Sequence, residues 1–307
     1  MKNKINPSVA IILVNWNGYN YTKKCILSLY ECNYDNFKII VVDNNSHDFS
    51  GFKIQNEFPE IEFIQNKINL GFTGANNVAI KWAIKNNYEY TMLLNNDTEV
   101  DKYFLNYLIT TFDNDPLIGA VQPLILEYDN KNIIWNGGGT IDFKFGRFLN
   151  PNKGLSKFNF KTLNKVEWIS GCCFMIKSDV IKKVGMLDDF FFVYFEDADL
   201  SLRINRSGFK LYVENKSLIY HHEGKSWISA NKNNEGYISP KTHYLNIRNH
   251  IYILKKFKNN FNIIFSIIFQ IAKISGYLIY FTSRLRFNKL KKVVYGVKDG
   301  LISNILK

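Results

Sequence analysis

The chain has 307 residues, with 39 Lys and Arg against 27 Asp and Glu, for a net charge of +12. That length makes one large domain, or one domain with an appendage. An apolar content of 46% belongs to a globular protein with a real core, not a disordered one. The charge is uneven. Residues 248–307 hold twelve Lys and Arg and a single acid, Asp299, leaving 27 basic and 26 acidic residues in the first 247. The body is close to neutral, and nearly all the excess sits in the last fifth of the chain. A basic tail can meet nucleic acid or an anionic membrane, and the apolar run inside this one favours the membrane. Cys25, Cys32, Cys172 and Cys173 form no CxxC pair and read as buried thiols in a reducing, cytoplasmic compartment. The N-terminal apolar run lacks a small-residue cleavage site and reads as a first strand, not a signal peptide.

In chain order, residues 9–14 form a short buried strand that ends in Asn-Trp-Asn-Gly. Residues 21–30 have helical spacing. A second strand, 37–42, closes on Asp43-Asn44-Asn45-Ser46, and a third covers 61–64. Asn69-Leu-Gly-Phe-Thr-Gly opens a helix through about Asn86. A fourth strand, 90–94, closes on Asn95-Asn96-Asp97, and a fifth covers 118–121. Strands alternating with helices predict parallel β-α-β units, with helices on both faces of the sheet. The polar clusters follow strands, at the ends where open α/β sheets bind ligands. Asn15, Asn17, Asp43 and 95–97 are therefore expected to converge on one crevice.

Beyond residue 130, loops and short strands run to about Asn164. A buried strand is expected over 167–176, a short helix over 178–184, and a helix from Glu196-Asp197 through Arg206. Residues 211–220 are strand-like and end in His221-His222. From Tyr244 the pattern is helical. Residues 261–281 are long enough to cross a bilayer, but Asn262, Gln270 and Lys273 favour a helix lying in the interface or packed on a partner.

Four constellations carry chemistry, each with a structural reading beside the functional one. Asp43, in VVDNNSHD, can accept hydrogen bonds from a base or ribose, and can equally close a turn. Asp97, in LLNNDT, can hold a divalent cation that neutralises a diphosphate leaving group. Glu196, Asp197 and Asp199 follow an apolar run, which is how a general base acquires a useful pKa, although acids also cap helix starts. His221 and His222 end a strand and suit a metal or a phosphate.

Taken together the motifs resemble family 2 glycosyltransferases of the GT-A fold, especially the rhamnosyltransferase-like branch. The matching pieces are VNWNG (14–18), VVDNNSHD (41–48), NLGFTGANN (69–77), LLNNDT (93–98), the block 168–209 and YHHEGKS (220–226), then an Arg-Asn pair at 248–249 and YGVKDGL at 295–301. The block 168–209 is the most specific. The resemblance implies an α/β GT-A fold: a Rossmann-like, mostly parallel sheet with helices on both faces, plus a C-terminal helical appendage. The catalytic domain would cover 1–243, with a donor-binding half to about 130 and an acceptor half over 131–243. Residues 244–307 would be a membrane-associating segment.

The resemblance also implies roles. Asp43 reads the nucleotide base. Asn15, Asn17, Asn45, Gly71, Asn76, Asn77 and Asn96 line the donor side. Asp97 matches the last acid of the family's DXD-type motif and meets Mg²⁺ or Mn²⁺ together with His221, with His222 as the alternative. Asn96 departs from the pattern, since an acid often stands there. Asp197 matches the catalytic base, preceded by Glu196, and Trp168, Gly171 and Asp199 lie on the acceptor side. The implied enzyme is an inverting, metal-dependent hexosyltransferase moving a sugar from a nucleoside diphosphate, with dTDP-rhamnose the leading donor, to a saccharide or lipid-linked saccharide of a surface polysaccharide. It would sit peripherally on the cytoplasmic face of the inner membrane, bind no nucleic acid, and be free to form a homodimer. A weakly active or inactive nucleotide-sugar-binding paralogue is the alternative, favoured by Asn96 alone. A nucleotidyltransferase would need a Gly-rich basic loop after the first strand, which Asn-Trp-Asn-Gly is not.

Overall fold

The computed structural model describes residues 6–160, 163–222 and 238–304. Positions 223–226 of the YHHEGKS segment lie outside them. Two compact units emerge: Met1–Thr140, Asn150–Phe192 and Glu196–Ser226 form the first, and Ile141–Leu149, Val193–Phe195 and Trp227–Lys307 the second.

The first unit is built on one mixed, mostly parallel sheet. Strands β1 (Val9–Asn15), β2 (Phe37–Asp43), β3 (Glu62–Gln65) and β4 (Tyr90–Asn95) are joined through helices α1 (Tyr19–Tyr30), α2 (Ser50–Glu57) and α3 (Gly71–Lys85). They pair in the order β4-β1-β2-β3, all parallel. After β4 come β5 (Thr98–Val100), α4 (Phe104–Asp113), β6 (Ile118–Glu127), β7 (Ile134–Asn136), β8 (Thr140–Asp142), β9 (Arg147–Leu149) and β10 (Asn164–Val166). Then follow β11 (Cys173–Lys177), α5 (Ser178–Val184), α6 (Glu196–Arg206) and β12 (Lys210–His221). β11 runs antiparallel between β4 and β6, and β12 lies parallel to β6. Central strands bury side chains on both faces, so they read as continuous apolar runs such as VAIILV and FKIIVV. One face packs α1 and α4 through Ile26, Leu29, Phe104 and Leu108; the other packs α3, α5 and α6 through Ala79, Ile80, Ile181 and Ile204.

The expected strand over 167–176 is shorter than its sequence suggests. Only Cys173–Lys177 is strand. The Ser170 amide is taken by the side chain of Gln122 and the Gly171 amide by that of Asp197, so neither is left for a ladder.

The second unit contains the two-stranded β8-β9 sheet and three helices, α7 (Pro240–Lys256), α8 (Ile263–Ser283) and α9 (Phe287–Ile302). Ser239 caps α7, accepting from the Thr242 amide at 3.1 Å, with Pro240 at the first turn. Helices α7 and α9 meet closely where side chains vanish: Gly296 lies under the Tyr244 carbonyl and Gly300 under that of Arg248. Ile247, Ile251, Phe281 and Val293 form a buried cluster in this unit.

Candidate active site

The carboxyl ends of the parallel strands assemble the first half of the site. Register aligns Asn15 with Asp43 and Val14 with Asn95. β1 is where the strand order reverses, since β2 and β3 lie on one side of it and β4 on the other. Asn15 is fully buried and donates to Asp43 Oδ1 at 2.7 Å and to the hydroxyls of Ser46 and Ser50 at 3.1 and 2.8 Å. Its carbonyl oxygen accepts from Thr22 at 2.8 Å, and Thr22 in turn accepts from Asn96 at 2.8 Å. Asp43 also accepts from the Ser46 amide and hydroxyl and from Gln65. The Asp43 carboxylate is therefore fixed at the crevice floor by neutral donors. Asn17 and Asn45 have positive φ values of 51° and 62°, a conformation asparagine tolerates, and the Asn17 side chain accepts from the His47 amide at 2.8 Å.

Asn44 is a hub that sequence reasoning passed over as a turn residue. It donates to Asn69 Oδ1 and to the Gly71 carbonyl, and accepts from Asn66 and the Leu70 amide. It thereby ties the end of β2 to the start of α3. Gly71 has φ 72°, and a Cβ there would stand 2.5 Å from the Phe192 carbonyl oxygen, so only glycine fits. Asn76 and Asn77 point elsewhere. Asn76 donates to Phe72 one turn back. Asn77 grips the Leu187 backbone through both its donor and its acceptor and also donates to Asp189 at 2.7 Å.

Asp97 and His221 meet because β5 pairs antiparallel with β12, setting Thr98 opposite His221. His221 Nε2 stands 3.2 Å from Asp97 Oδ1, both side chains nearly buried. Burial opposes the imidazolium, but the Cys172 sulfur and Asp97 carboxylate beside it favour it, and its pKa is pushed up to about 10. Burial also raises the Cys172 thiol, so Asp97 is the charge that acts at neutral pH. His222 turns away, facing Glu99 at 3.2 Å and stacking on Tyr128. Among the described residues no group of three or more His, Cys, Asp or Glu is assembled. The Asp97–His221 pair suits a cation that also takes phosphate oxygens and water, provided the cation displaces the imidazolium proton, since only the neutral ring offers a lone pair. Adjacent donors in an octahedral shell with ligands at about 2.1 Å lie roughly 3 Å apart. Asn96 sits beside this pair in sequence but is committed to Thr22.

Asp197 lies in the first turn of α6. Its Oδ2 accepts from the Gly171 amide at 2.9 Å and its Oδ1 from the Ala198 amide at 2.7 Å. Burial raises its pKa above the usual carboxylate value, although those amides pull it down. A carboxylate accepting two hydrogen bonds still has lone pairs for an incoming hydroxyl. Glu196 is buried, its Oε1 3.2 Å from where a Cβ on Gly171 would stand. Asp199 is fully buried and pairs with Arg203 at 2.6 Å, which donates to the Val184 and Gly185 carbonyls. Asp199 thus anchors α6 to the end of α5. Trp168 exchanges backbone hydrogen bonds with Gly139, whose missing side chain makes room for the indole. Just before Asp197 the backbone is contorted: Phe192, Tyr194 and Phe195 have φ of 64°, 73° and 72°. Such conformations are costly for these residue types and cluster at functional sites. Within the second unit, buried Asn249 donates to the Val193 and Tyr194 carbonyls at 2.8 Å each.

Comparison with known proteins agrees with the expected family and fold. The family model described as "Glycosyl transferase family 2" matches residues 10–185. The chain is 27% identical over 206 residues to the low-salt glycan biosynthesis hexosyltransferase Agl10 of Haloferax volcanii, covering 66% of this chain and 63% of that protein. It is 21% identical over 239 residues to an N-acetylglucosaminyl-diphospho-decaprenol L-rhamnosyltransferase of Mycobacterium tuberculosis, covering 69% and 76%. It is 22% identical over 309 residues to the dTDP-rhamnosyl transferase RfbF of Shigella flexneri, covering 97% and 96%. Among solved structures, GalNAc-T7 with UDP, GalNAc and Mn²⁺ superposes with a TM-score of 0.56 at 18% identity, covering 70% of this chain and 43% of that one. That likeness shows a shared GT-A fold.

Proposed function

The chain belongs to glycosyl transferase family 2, and from that membership we propose that it is an inverting transferase moving a sugar from a nucleoside-diphosphate donor to a saccharide hydroxyl. The observation that carries the reading is Asp197: a carboxylate held by two backbone amides, with its pKa raised by burial, at the start of α6. In the proposed reaction Asp197 takes the proton of the acceptor hydroxyl as that oxygen attacks the anomeric carbon, and the bond to the diphosphate breaks on the opposite face. Asp43 is assigned to the nucleoside end, with Asn15 and Asn44 holding the strand ends around it, and much of the acceleration comes from orientation and preorganised charge. Asp97 and His221 are assigned to Mg²⁺ or Mn²⁺, which when bound would neutralise charge on the departing diphosphate.

Rhamnose from dTDP is the proposed donor, supported by the names of the mycobacterial and Shigella relatives. A lipid-linked saccharide of a surface polysaccharide is the proposed acceptor class, supported by the diphospho-decaprenol in the first of those names. With such an acceptor, the proposed location is the cytoplasmic face of the membrane, the enzyme held peripherally by its basic helices. The reading is tested by screening nucleotide sugars for nucleoside-diphosphate release by wild type and Asp197→Asn. Release from one donor by wild type, abolished in the variant, supports it. Donor binding without release would favour an inactive binding paralogue.

A further inference from the structure

The outward face of α8 is apolar and exposed. Its polarity is reversed relative to a helix on a water-soluble domain. Ile264, Ile267, Ile268, Ile271 and Ile279 share one side and are exposed, Ile264 by 67% and Ile279 by 71%. No exposed residue within Ile263–Ser283 carries a charge. The polar side chains Ser266, Gln270 and Lys273 sit on the opposite side, three or four residues apart, and turn inward. Gln270 and Lys273 both meet the buried ring of His250 on α7, at about 3 Å. His250 in turn contacts the Gly146 carbonyl at 2.7 Å. Burial lowers Lys273 to about 8, while burial and the Lys273 charge lower His250 to about 3. His250 is therefore neutral and accepts from Lys273.

From this geometry we propose that α8 lies in the plane of an anionic bilayer surface, with the isoleucine face inserted among the lipids and the Gln270–His250–Lys273 cluster turned away from them. The proposal rests on the peripheral membrane location given above and names the residues that produce it. A lipid occupant is favoured by charge. Lys258 and Arg284 flank the helix, α9 adds exposed Lys291, Lys292 and Lys298, and the sole acid in 238–304 is Asp299, which accepts from Tyr244. An exposed apolar stripe bordered by cations is the pattern of an interfacial helix. α8 is long and apolar enough to cross a membrane. Crossing would carry the middle of α7, with Arg248, Asn249 and His250, to the bilayer centre, where such groups are costly.

The test is flotation of the full chain with vesicles of phosphatidylcholine alone or mixed with phosphatidylglycerol, alongside the double variant Ile267→Glu/Ile271→Glu. Both positions are exposed, so the fold should tolerate the change, which circular dichroism checks. We expect the full chain to float with the mixed vesicles, to be released by alkaline carbonate, and to lose at least about tenfold of its bound fraction in the double variant. Equal flotation of the folded double variant would overturn the proposal. Carbonate resistance would overturn it in favour of a span. A solution dimer dissolved by the glutamates, with no vesicle binding by wild type, would overturn it in favour of a second copy of the chain. Nucleoside-diphosphate release with a soluble acceptor is measured on the same samples. A chain that floats but releases nothing counts against the transferase reading and leaves the α8 assignment standing.

Discussion

The Gly171 amide donates to Asp197 Oδ2 at 2.9 Å, joining the turn before β11 to the first residues of α6. This bond aims the carboxylate while leaving lone pairs free, which is what a base for an acceptor hydroxyl requires. Replacing Asp197 with Asn keeps the shape and removes the base. Turnover should fall about 10²–10⁴-fold while donor affinity, read by calorimetry, stays within a few-fold. Near wild-type turnover would remove Asp197 from the mechanism.

The pH–rate profile should carry the mark of the same residue. A base works deprotonated, so activity is present above its folded-state pKa and lost as pH falls through it. Because burial raises the Asp197 pKa, the acid limb of kcat/KM should lie above the ordinary carboxylate value of about 4. A limb at or below that value would assign the limiting ionisation to another group.

Removal of divalent cations should abolish turnover and leave the fold intact. Asp97→Ala or His221→Ala should raise the concentration of Mg²⁺ or Mn²⁺ needed for half-maximal activity by tenfold or more, on the order of the effect of losing one ligand. His222→Ala should not, since that ring faces Glu99. Full activity in excess EDTA would refute the assignment.

Asn15→Ala probes the crevice floor. It removes an amide whose two N–H groups serve Asp43, Ser46 and Ser50, and leaves Asp43 buried with fewer partners. The expected cost is about 2–4 kcal/mol of stability by urea unfolding, with a raised KM for donor. A loss below about 0.5 kcal/mol would mean water replaces the amide.

Asn249 is proposed to hold the strained loop that feeds into Glu196 and Asp197. Asn249→Ala frees the Val193 and Tyr194 carbonyls. It should lower kcat more than it changes KM for donor, with a modest loss of melting temperature. Equal kcat and a lowered melting temperature would make the residue purely structural.

Much of the fold is legible because buried parallel strands leave unbroken apolar runs closed by polar residues, as at 9–15, 37–43 and 90–95. Other elements are harder to read. α2 is eight residues long and opens with Ser-Gly, and only Ile54 is a large buried side chain, too little to show a period. The strand expected over 167–176 is shortened by side-chain acceptors, Gln122 and Asp197, that lie far off in sequence. The site divides in the same way. Asp43, Asp97 and Asp197 stand out as acids after strands or apolar runs, whereas the network around Asn15 and Asn44 exists only once distant segments converge. The choice between His221 and His222 depends on the register of β5 against β12, since successive residues along an extended chain face opposite sides. Asn77 belongs to the NLGFTGANN motif that reads as donor wall, yet its amide is spent on Leu187, 110 residues further along.

The central claim is most directly tested by incubating the full-length protein with dTDP-rhamnose, a lipid-linked saccharide and Mn²⁺, and following dTDP release together with the anomeric configuration of the product. The proposed single displacement predicts acceptor-dependent release with inversion, lost in Asp197→Asn. Retention of configuration, or release unaffected by that substitution, would contradict it.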